Sequence, residues 1–210
     1  MKYDLIIWDF NGTIADDVTI GIEAANVVLS RRGMRTIDSV ERYRELFCFP
    51  IIKYYEKLGF DFEKEPYEVP ADEWTAEYIK RERDITLNEG CLDVLKYVRE
   101  ACVPQIIISS SEAVMLKREV AMLGISEYFE SILGKSDNYA HGKIKMAKEW
   151  ARGKSYNALF IGDSVHDLET ANAIGADCIL FTGGHDSKEH FKGTDVKTVD
   201  SLSEIIDFIK

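Results

Sequence analysis

With 210 residues and 46% hydrophobic side chains, the chain is long enough for one buried core with a sizeable insertion, or for two small domains sharing a core. A net charge of −11 argues against nucleic acid and anionic membranes, which recruit basic faces, so an anionic substrate would need a local lysine or metal ion. Cys48, Cys91, Cys102 and Cys178 show neither Cys-x-x-Cys spacing nor an accompanying histidine cluster, which excludes a disulfide frame or a zinc site as the basis of the fold.

Taken in order, the chain starts with an apolar strand, Leu5 to Trp8, that stops on Asp9-Phe10-Asn11-Gly12-Thr13. Helical spacing follows in four stretches. Asp16-Asp17 opens the first, which Gly33 stops, and Asp38 with Glu41 reads as a capping box for the second. Pro50 starts the third, which ends at Gly59, and after a loop with Pro66 and Pro70 the fourth runs from Trp74 towards Ile85. Beyond Gly90 the pattern alternates. Helices are expected at Cys91–Glu100, Ser111–Leu123, around Lys143–Ala151, up to Gly175 and after Ser201, the last capped by Ser201 with Glu204. Between them lie strands at Gln105–Ser109, Ser131–Gly134, Asn157–Ile161, Cys178–Phe181 and Val196–Val199.

Such alternation implies an α/β fold, a doubly wound Rossmann-like parallel sheet covered on both faces. A helical block inserted after the first strand gives the expected organisation: residues 1–15 and 88–210 as the α/β core, and 16–87 as a small α-helical cap. No apolar run approaches the roughly 18 residues of a membrane span, and the N-terminal apolar stretch is too short for a signal peptide, so a cytoplasmic protein is expected.

Chemistry gathers at the strand tips. Asp9 and Asn11, two apart on a strand, project together at the end where open parallel sheets bind ligands. Gly12 permits a sharp turn and Thr13 sets a hydroxyl where an anion can be approached. Ser109 could hold a phosphoryl oxygen, with Ser110 beside it, while Ser111 is placed to cap the next helix. Lys143 follows the loop 138–142 and opens a helix, where a cation opposes the dipole unless an anion is held there. Gly162-Asp163-Ser164-Val165-His166-Asp167 delivers two carboxylates on one short turn, near Asp9; hard oxygen ligands beside a phosphate point to magnesium, Mg²⁺. Either Ser164 or Asp163 could instead serve only as the helix cap.

These four stretches resemble, in order, the four motifs of the haloacid dehalogenase superfamily, in its branch close to phosphoglycolate phosphatases and β-phosphoglucomutases. The resemblance implies a Mg²⁺-dependent phosphatase of small phosphorylated metabolites, acting as a monomer or weak homodimer. It implies that Asp9 attacks phosphorus to form an aspartyl-phosphate, that Thr13, Ser109, Ser110 and Lys143 bind the phosphoryl group, and that Asp9, Asn11 (through its carbonyl), Asp163 and Asp167 hold the metal. Asn11 departs from the family pattern, which has a second aspartate there as general acid and base. An amide cannot exchange a proton at ordinary pH, and such help is worth ~10²- to 10⁴-fold, so slow turnover is expected unless Asp17, His166 or another acid substitutes.

Two other functions fit the same resemblance. Phosphonoacetaldehyde hydrolases also lack the second aspartate and form a Schiff base on a cap lysine, for which Lys53 is the candidate. A capped phosphate-ligand binder without turnover is the other. The turn Gly183-Gly184-His185-Asp186 could touch a ligand but reads more simply as a loop at the sheet edge, and the cap aromatics Phe47, Phe49, Tyr54 and Tyr55 could line a pocket but read first as packing for the helical segment.

Overall fold

The computed structural model describes residues 1–135 and 142–210; the loop 138–141 expected to lead into Lys143 lies outside the described residues. After β1 (Leu5–Trp8) come a short strand β2 (Ala15–Asp16) and four helices, α1 (Val18–Arg31), α2 (Val40–Leu46), α3 (Ile51–Leu58) and α4 (Glu68–Ile79). Then β3 (Thr86–Leu87) returns antiparallel to β2, so a two-stranded ribbon ties off both ends of the helical block. The rest alternates: α5 (Cys91–Glu100), β4 (Gln105–Glu112), α6 (Ala113–Met122), β5 (Ser131–Lys135), α7 (Lys143–Ala151), β6 (Ala158–Gly162), α8 (Val165–Ile174), β7 (Asp177–Phe181), β8 (Lys197–Val199) and α9 (Ile205–Ile209).

Six parallel strands form the main sheet in the order β5-β4-β1-β6-β7-β8. The alternation of side chains along β1 shows why both faces must be covered. Ile6 and Trp8 enter one cluster with Val94, Leu95 and Val98 of α5, Leu116 and Val120 of α6 and Ile205 of α9. Leu5 and Ile7 enter the other with Ala147 of α7 and Ala171 of α8. The indole of Trp8 is satisfied in that dry setting by Gln105 Oε1 at 3.0 Å, and Gln105 in turn donates to the Leu95 carbonyl. Since β1 lies between β4 and β6, its C-terminal end is the switch point where the chain turns outward in both directions.

The helical segment has its own core, in which Val28 and Leu29 of α1 meet Tyr43, Phe47, Tyr54, Tyr55 and Phe60. Pro50 starts α3, and Gly59 ends it with φ of +102°. Other boundaries differ from the sequence expectation for local reasons. Ser39, not Asp38, caps α2, its hydroxyl accepting from Arg42 N at 3.1 Å. Glu112, not Ser111, caps α6, accepting from Val114 N and Met115 N at 2.9 Å each. Pro70 falls within the first turn of α4, where its missing N–H costs nothing, so that helix starts and ends early and a 3₁₀ turn, Glu82–Asp84, replaces its expected tail. The Ser201–Glu204 capping box is present, on a 3₁₀ turn leading into α9.

One core position works against stability. Glu119 of α6 is 1% exposed, and neither carboxyl oxygen has a hydrogen-bond partner. Burial, reinforced by the Asp17 and Glu82 charges, pushes its pKa up to about 8. A carboxyl raised from 4.5 in this way folds most favourably when protonated, and its penalty grows as pH rises from 4.5 towards 8. Glu119→Leu is therefore expected to stabilise the chain, by roughly 3 kcal/mol more at pH 8 than at pH 5, in urea denaturation at the two pH values.

Candidate active site

The ladder of β1 continues one residue past the strand, Asp9 N donating to the Ile161 carbonyl at 2.8 Å, which fixes Asp9 at the tip beside β6. The chain then turns sharply, with the Phe10 carbonyl accepting from Ile14 N and Ala15 N at 2.9 Å each. Gly12 makes the turn at φ of +73°, and a Cβ there would lie 2.5 Å from both Asp163 Oδ2 and His185 Cδ2. Gly162 is needed for a second close approach, since its Cβ would sit 2.4 Å from that of Asp167.

These turns bring Asp9, Asp163 and Asp167 together, all buried, with a carboxylate oxygen from each within 4.8 Å of the others. Lys143, the first residue of α7 and 3% exposed, donates from one Nζ to both Asp9 Oδ1 and Asp167 Oδ1. The anion expected at the start of that helix is thus a pair of carboxylates. The other oxygen of Asp167 accepts from Ser164 Oγ at 2.7 Å, Ser164 N at 3.0 Å and Asp163 N at 3.1 Å, so the residue also locks the start of α8. Asp163 accepts from the Thr13 hydroxyl at 3.0 Å and from His185 N at 2.6 Å. Among the described residues no lysine or arginine forms a salt bridge with it.

The acid strengths follow from this arrangement. Burial and the Asp167 charge raise Asp9 to about 6, against the pull of Lys143. Burial and the neighbouring carboxylates hold Asp163 well above the usual carboxylate range. Asp167 is equally buried, yet Lys143 and its hydrogen bonds keep it below that range. Lys143 pairs with Asp9 and Asp167 but not with Asp163, and a hard cation beside Asp163 would supply the charge that keeps it ionised. Three clustered carboxylate oxygens are the donor set that Mg²⁺ takes, so the residues fit the ion that the sequence implies.

Asn11 sits at the head of a second network. Its amide donates to Asp17 Oδ2 at 2.8 Å and to the Tyr78 hydroxyl at 3.1 Å, and its carbonyl oxygen accepts from Ser111 Oγ at 2.5 Å. Asp17, buried, also accepts from Tyr78 OH at 2.8 Å and Gly12 N at 2.8 Å, and lies 3.1 Å from His185 Nε2. Burial would favour neutral Asp17, but the His185 charge and these donors win, and its pKa is lowered. For His185, burial opposes protonation, yet Asp17, Asp163 and Asp9 raise its pKa to about 9. Its other ring nitrogen is 2.8 Å from the Tyr43 hydroxyl.

Both networks open into one cavity of about 200 Å³. Of the residues singled out from sequence, Asp9, Asn11, Ser109, Ser110, Lys143, Asp163 and Asp167 line it, as does Asp17. Thr13 is fully buried and spends its hydroxyl on Asp163, and the buried Ser109 hydroxyl accepts from Ser111 N at 3.1 Å. His166 does not line the cavity; it stacks on Phe49 with ring centroids 4.5 Å apart and faces Glu169. Lys53 is exposed, paired with Glu56 at 2.7 Å and absent from the cavity wall, which removes the lysine on which the Schiff-base alternative depended. The turn carrying His185 could be marked in the sequence as one that touches a ligand, but its pairing with Asp17 and the parts played by Tyr43 and Tyr78, which read only as helix-face residues, carry no local signal.

A family model described as haloacid dehalogenase-like hydrolase matches residues 6–181. Among characterised sequences the chain is similar to a phosphoglycolate phosphatase of Rhodobacter capsulatus, 24% identical over 186 residues, covering 86% of this chain and 84% of that protein. A phosphoglycolate phosphatase of Neisseria gonorrhoeae is 25% identical over 195 residues, covering 86% and 80%. Among solved structures, a haloacid dehalogenase-like family hydrolase from Streptococcus pneumoniae superposes with a TM-score of 0.82 at 18% identity, covering 100% of this chain and 99% of the other. CbbY from Rhodobacter sphaeroides, in complex with phosphate, superposes with a TM-score of 0.73 at 19% identity, covering 97% and 96%. The fold, the order of the strand tips and a family match spanning most of the sequence agree: the chain belongs to the haloacid dehalogenase-like hydrolases.

Proposed function

We propose that the chain is a Mg²⁺-dependent phosphatase of small phosphomonoesters, with residues 16–87 acting as a cap over a core of 1–15 and 88–210. The observation that carries this reading is a trio of buried carboxylates, two of them bonded to one lysine, at the floor of a cavity. The similar proteins named as phosphoglycolate phosphatases support it.

In this mechanism an Asp9 oxygen attacks phosphorus, the bond to the leaving oxygen breaks, and an aspartyl-phosphate forms; water then attacks phosphorus, releasing phosphate and restoring Asp9. Lys143 orients Asp9 and offsets charge on the transferring group, while Ser109 and Ser110 flank the phosphoryl oxygens from the end of β4. Asp9, Asp163 and the backbone carbonyl of Asn11 would hold Mg²⁺, with Asp167 ligating directly or through a bound water. When bound, the ion neutralises the charge on Asp163 and the charge that develops on the phosphoryl oxygens. Thr13 acts on the phosphate indirectly, by fixing Asp163. The roof of helices excludes water from the first step and limits substrate size.

The leaving oxygen needs a proton that Asn11 cannot give. Asp17, 2.8 Å from the Asn11 amide and lining the same cavity, is held ionised, so the proton available in this network is that of His185, 3.1 Å from Asp17 and also lining the cavity, which supports slow rather than absent turnover.

Phosphate release from a panel of small phosphomonoesters tests the reading. Asp9→Asn is expected to lower release by about 10³-fold or more while leaving the fold intact, and chelation of Mg²⁺ to abolish it reversibly. Release by Asp9→Asn at the parent rate, or parent activity in excess chelator, would falsify the mechanism. For Asn11→Asp the new carboxyl faces Asp17, and two carboxylates so close share a proton. That proton is available to the leaving oxygen, so kcat is expected to rise about 10-fold or more, measured by steady-state kinetics near pH 6.

A further inference from the structure

Resting on the phosphatase reading, we infer that the leaving group of the substrate is uncharged and largely apolar, an aromatic or branched-alkyl alcohol, and carries no carboxylate. The phosphoryl group occupies the charged floor, so the remainder of the substrate must lie against the rest of the same cavity. That wall comes from the helical segment and includes Phe47, Phe49, Ile51, Tyr55 and Trp74. Apart from Asp17, no residue that the segment contributes to the wall bears a charge.

Most polar atoms there are already engaged within the protein, an exception being the buried Tyr54 hydroxyl, which has no hydrogen-bond partner among the described residues. Tyr43 OH pairs with His185, Tyr78 OH with Asp17, Trp74 Nε1 donates to the Gly21 carbonyl at 3.1 Å, and Thr75 Oγ1 to the Ala71 carbonyl at 2.9 Å. What remains for a ligand is ring face, aliphatic surface and the uncharged hydroxyl of Tyr54. Cations of the segment are held elsewhere: Arg44 donates to the carbonyls of Gly183 and Gly184 at 2.5 and 2.7 Å, and Lys53 pairs with Glu56. The lysines that do line the cavity, Lys135 and Lys143, stand on β5 and α7 at the sheet side with the phosphate-facing residues. A carboxylate against the helical wall would be desolvated without a cation supplied by that wall, and the charge of His185, which stacks on Phe47, is already met by Asp17 at 3.1 Å. An apolar group would gain by burial against the same rings.

Two non-hydrolysable phosphonates of matched length separate the cases in calorimetric titration of the intact chain with Mg²⁺. They are 2-phenylethylphosphonate, which mimics benzyl phosphate, and 3-phosphonopropionate, which mimics phosphoglycolate. The phenyl compound is expected to bind about 10-fold tighter or more. Equal or reversed affinity, or no binding of either, overturns the inference, and reversal would assign Lys135 to the carboxylate. Ile51→Lys, at a half-buried wall position, is expected to narrow the preference at least several-fold; an unchanged preference in the folded variant would also overturn it. Failure of the phosphatase reading looks different: the binding preference holds, yet no Mg²⁺-dependent phosphate appears from benzyl phosphate.

Discussion

Three carboxylates cannot be buried within 4.8 Å of one another unless positive charge is buried with them, and the rest of the structure is arranged around that constraint. Lys143 answers part of it by bonding Asp9 and Asp167 from a single Nζ. Placing an ammonium at the first position of a helix is unfavourable against the dipole, and here the two carboxylates outweigh it. The same lysine leaves the three acids unequal. Asp167 is held ionised by it, Asp9 is intermediate, and Asp163 is left with neutral donors and the more distant His185 charge. The cluster is therefore asymmetric, with its unmet need for a cation concentrated on the side of Asp163.

Strand order sets where this need arises. β1 and β6 are neighbours in the sheet although about 150 residues separate them, so the tips carrying Asp9 and Asp163 end side by side. Glycines let the loops close in: the backbone at Gly12, Gly162 and Gly184 passes so near Asp163 or Asp167 that a methyl group would collide. Tight backbone there excludes water and keeps the carboxylates desolvated. The helical segment completes the enclosure from the other side, tethered to the loop after β7 by Arg44 and by the Tyr43–His185 bond.

Much of this was legible in the sequence because its carriers are local. An apolar run ending in aspartate marks the strand tips of Asp9 and Asp163, Asp167 follows one helical turn on, the insertion shows as helical spacing, and Lys143 stands out as a cation at a helix start that matches the family's third motif. What was not legible depends on choices between neighbours or on long separations. Asp38 and Ser39 are adjacent residues of similar capping ability, and at 111–112 the backbone path selects Glu112 over the intrinsically better cap Ser111. Asp17 and His185 lie 168 residues apart and meet only when the loop after β7 folds back over Gly12. Ser111, freed from capping, turns to Asn11 instead. The cap aromatics were expected to pack the helical segment, and they do, yet the same rings form the cavity wall, because a small layer of helices has no interior far from its surface.

Asn11, the departure from the family pattern, acquires a physical reason from its neighbour. A carboxylate at position 11 would stand at the place where the amide now touches Asp17, adding a further buried negative charge beside a cluster already short of cations. The amide resolves the conflict by donating to Asp17 and accepting from Ser111, so all its bonds point within the protein. Positions 11 and 17 therefore behave as one unit that accommodates a single ionised carboxylate, and in this chain it resides on Asp17, braced by Tyr78, His185 and the Gly12 amide. In the proposed mechanism the proton for the leaving oxygen then has to come from beyond position 11, and the protonated group of this unit is His185 rather than Asp17. A longer path slows proton transfer without changing how the phosphoryl group is held, so the substitution bears on the rate of the reaction more than on its kind.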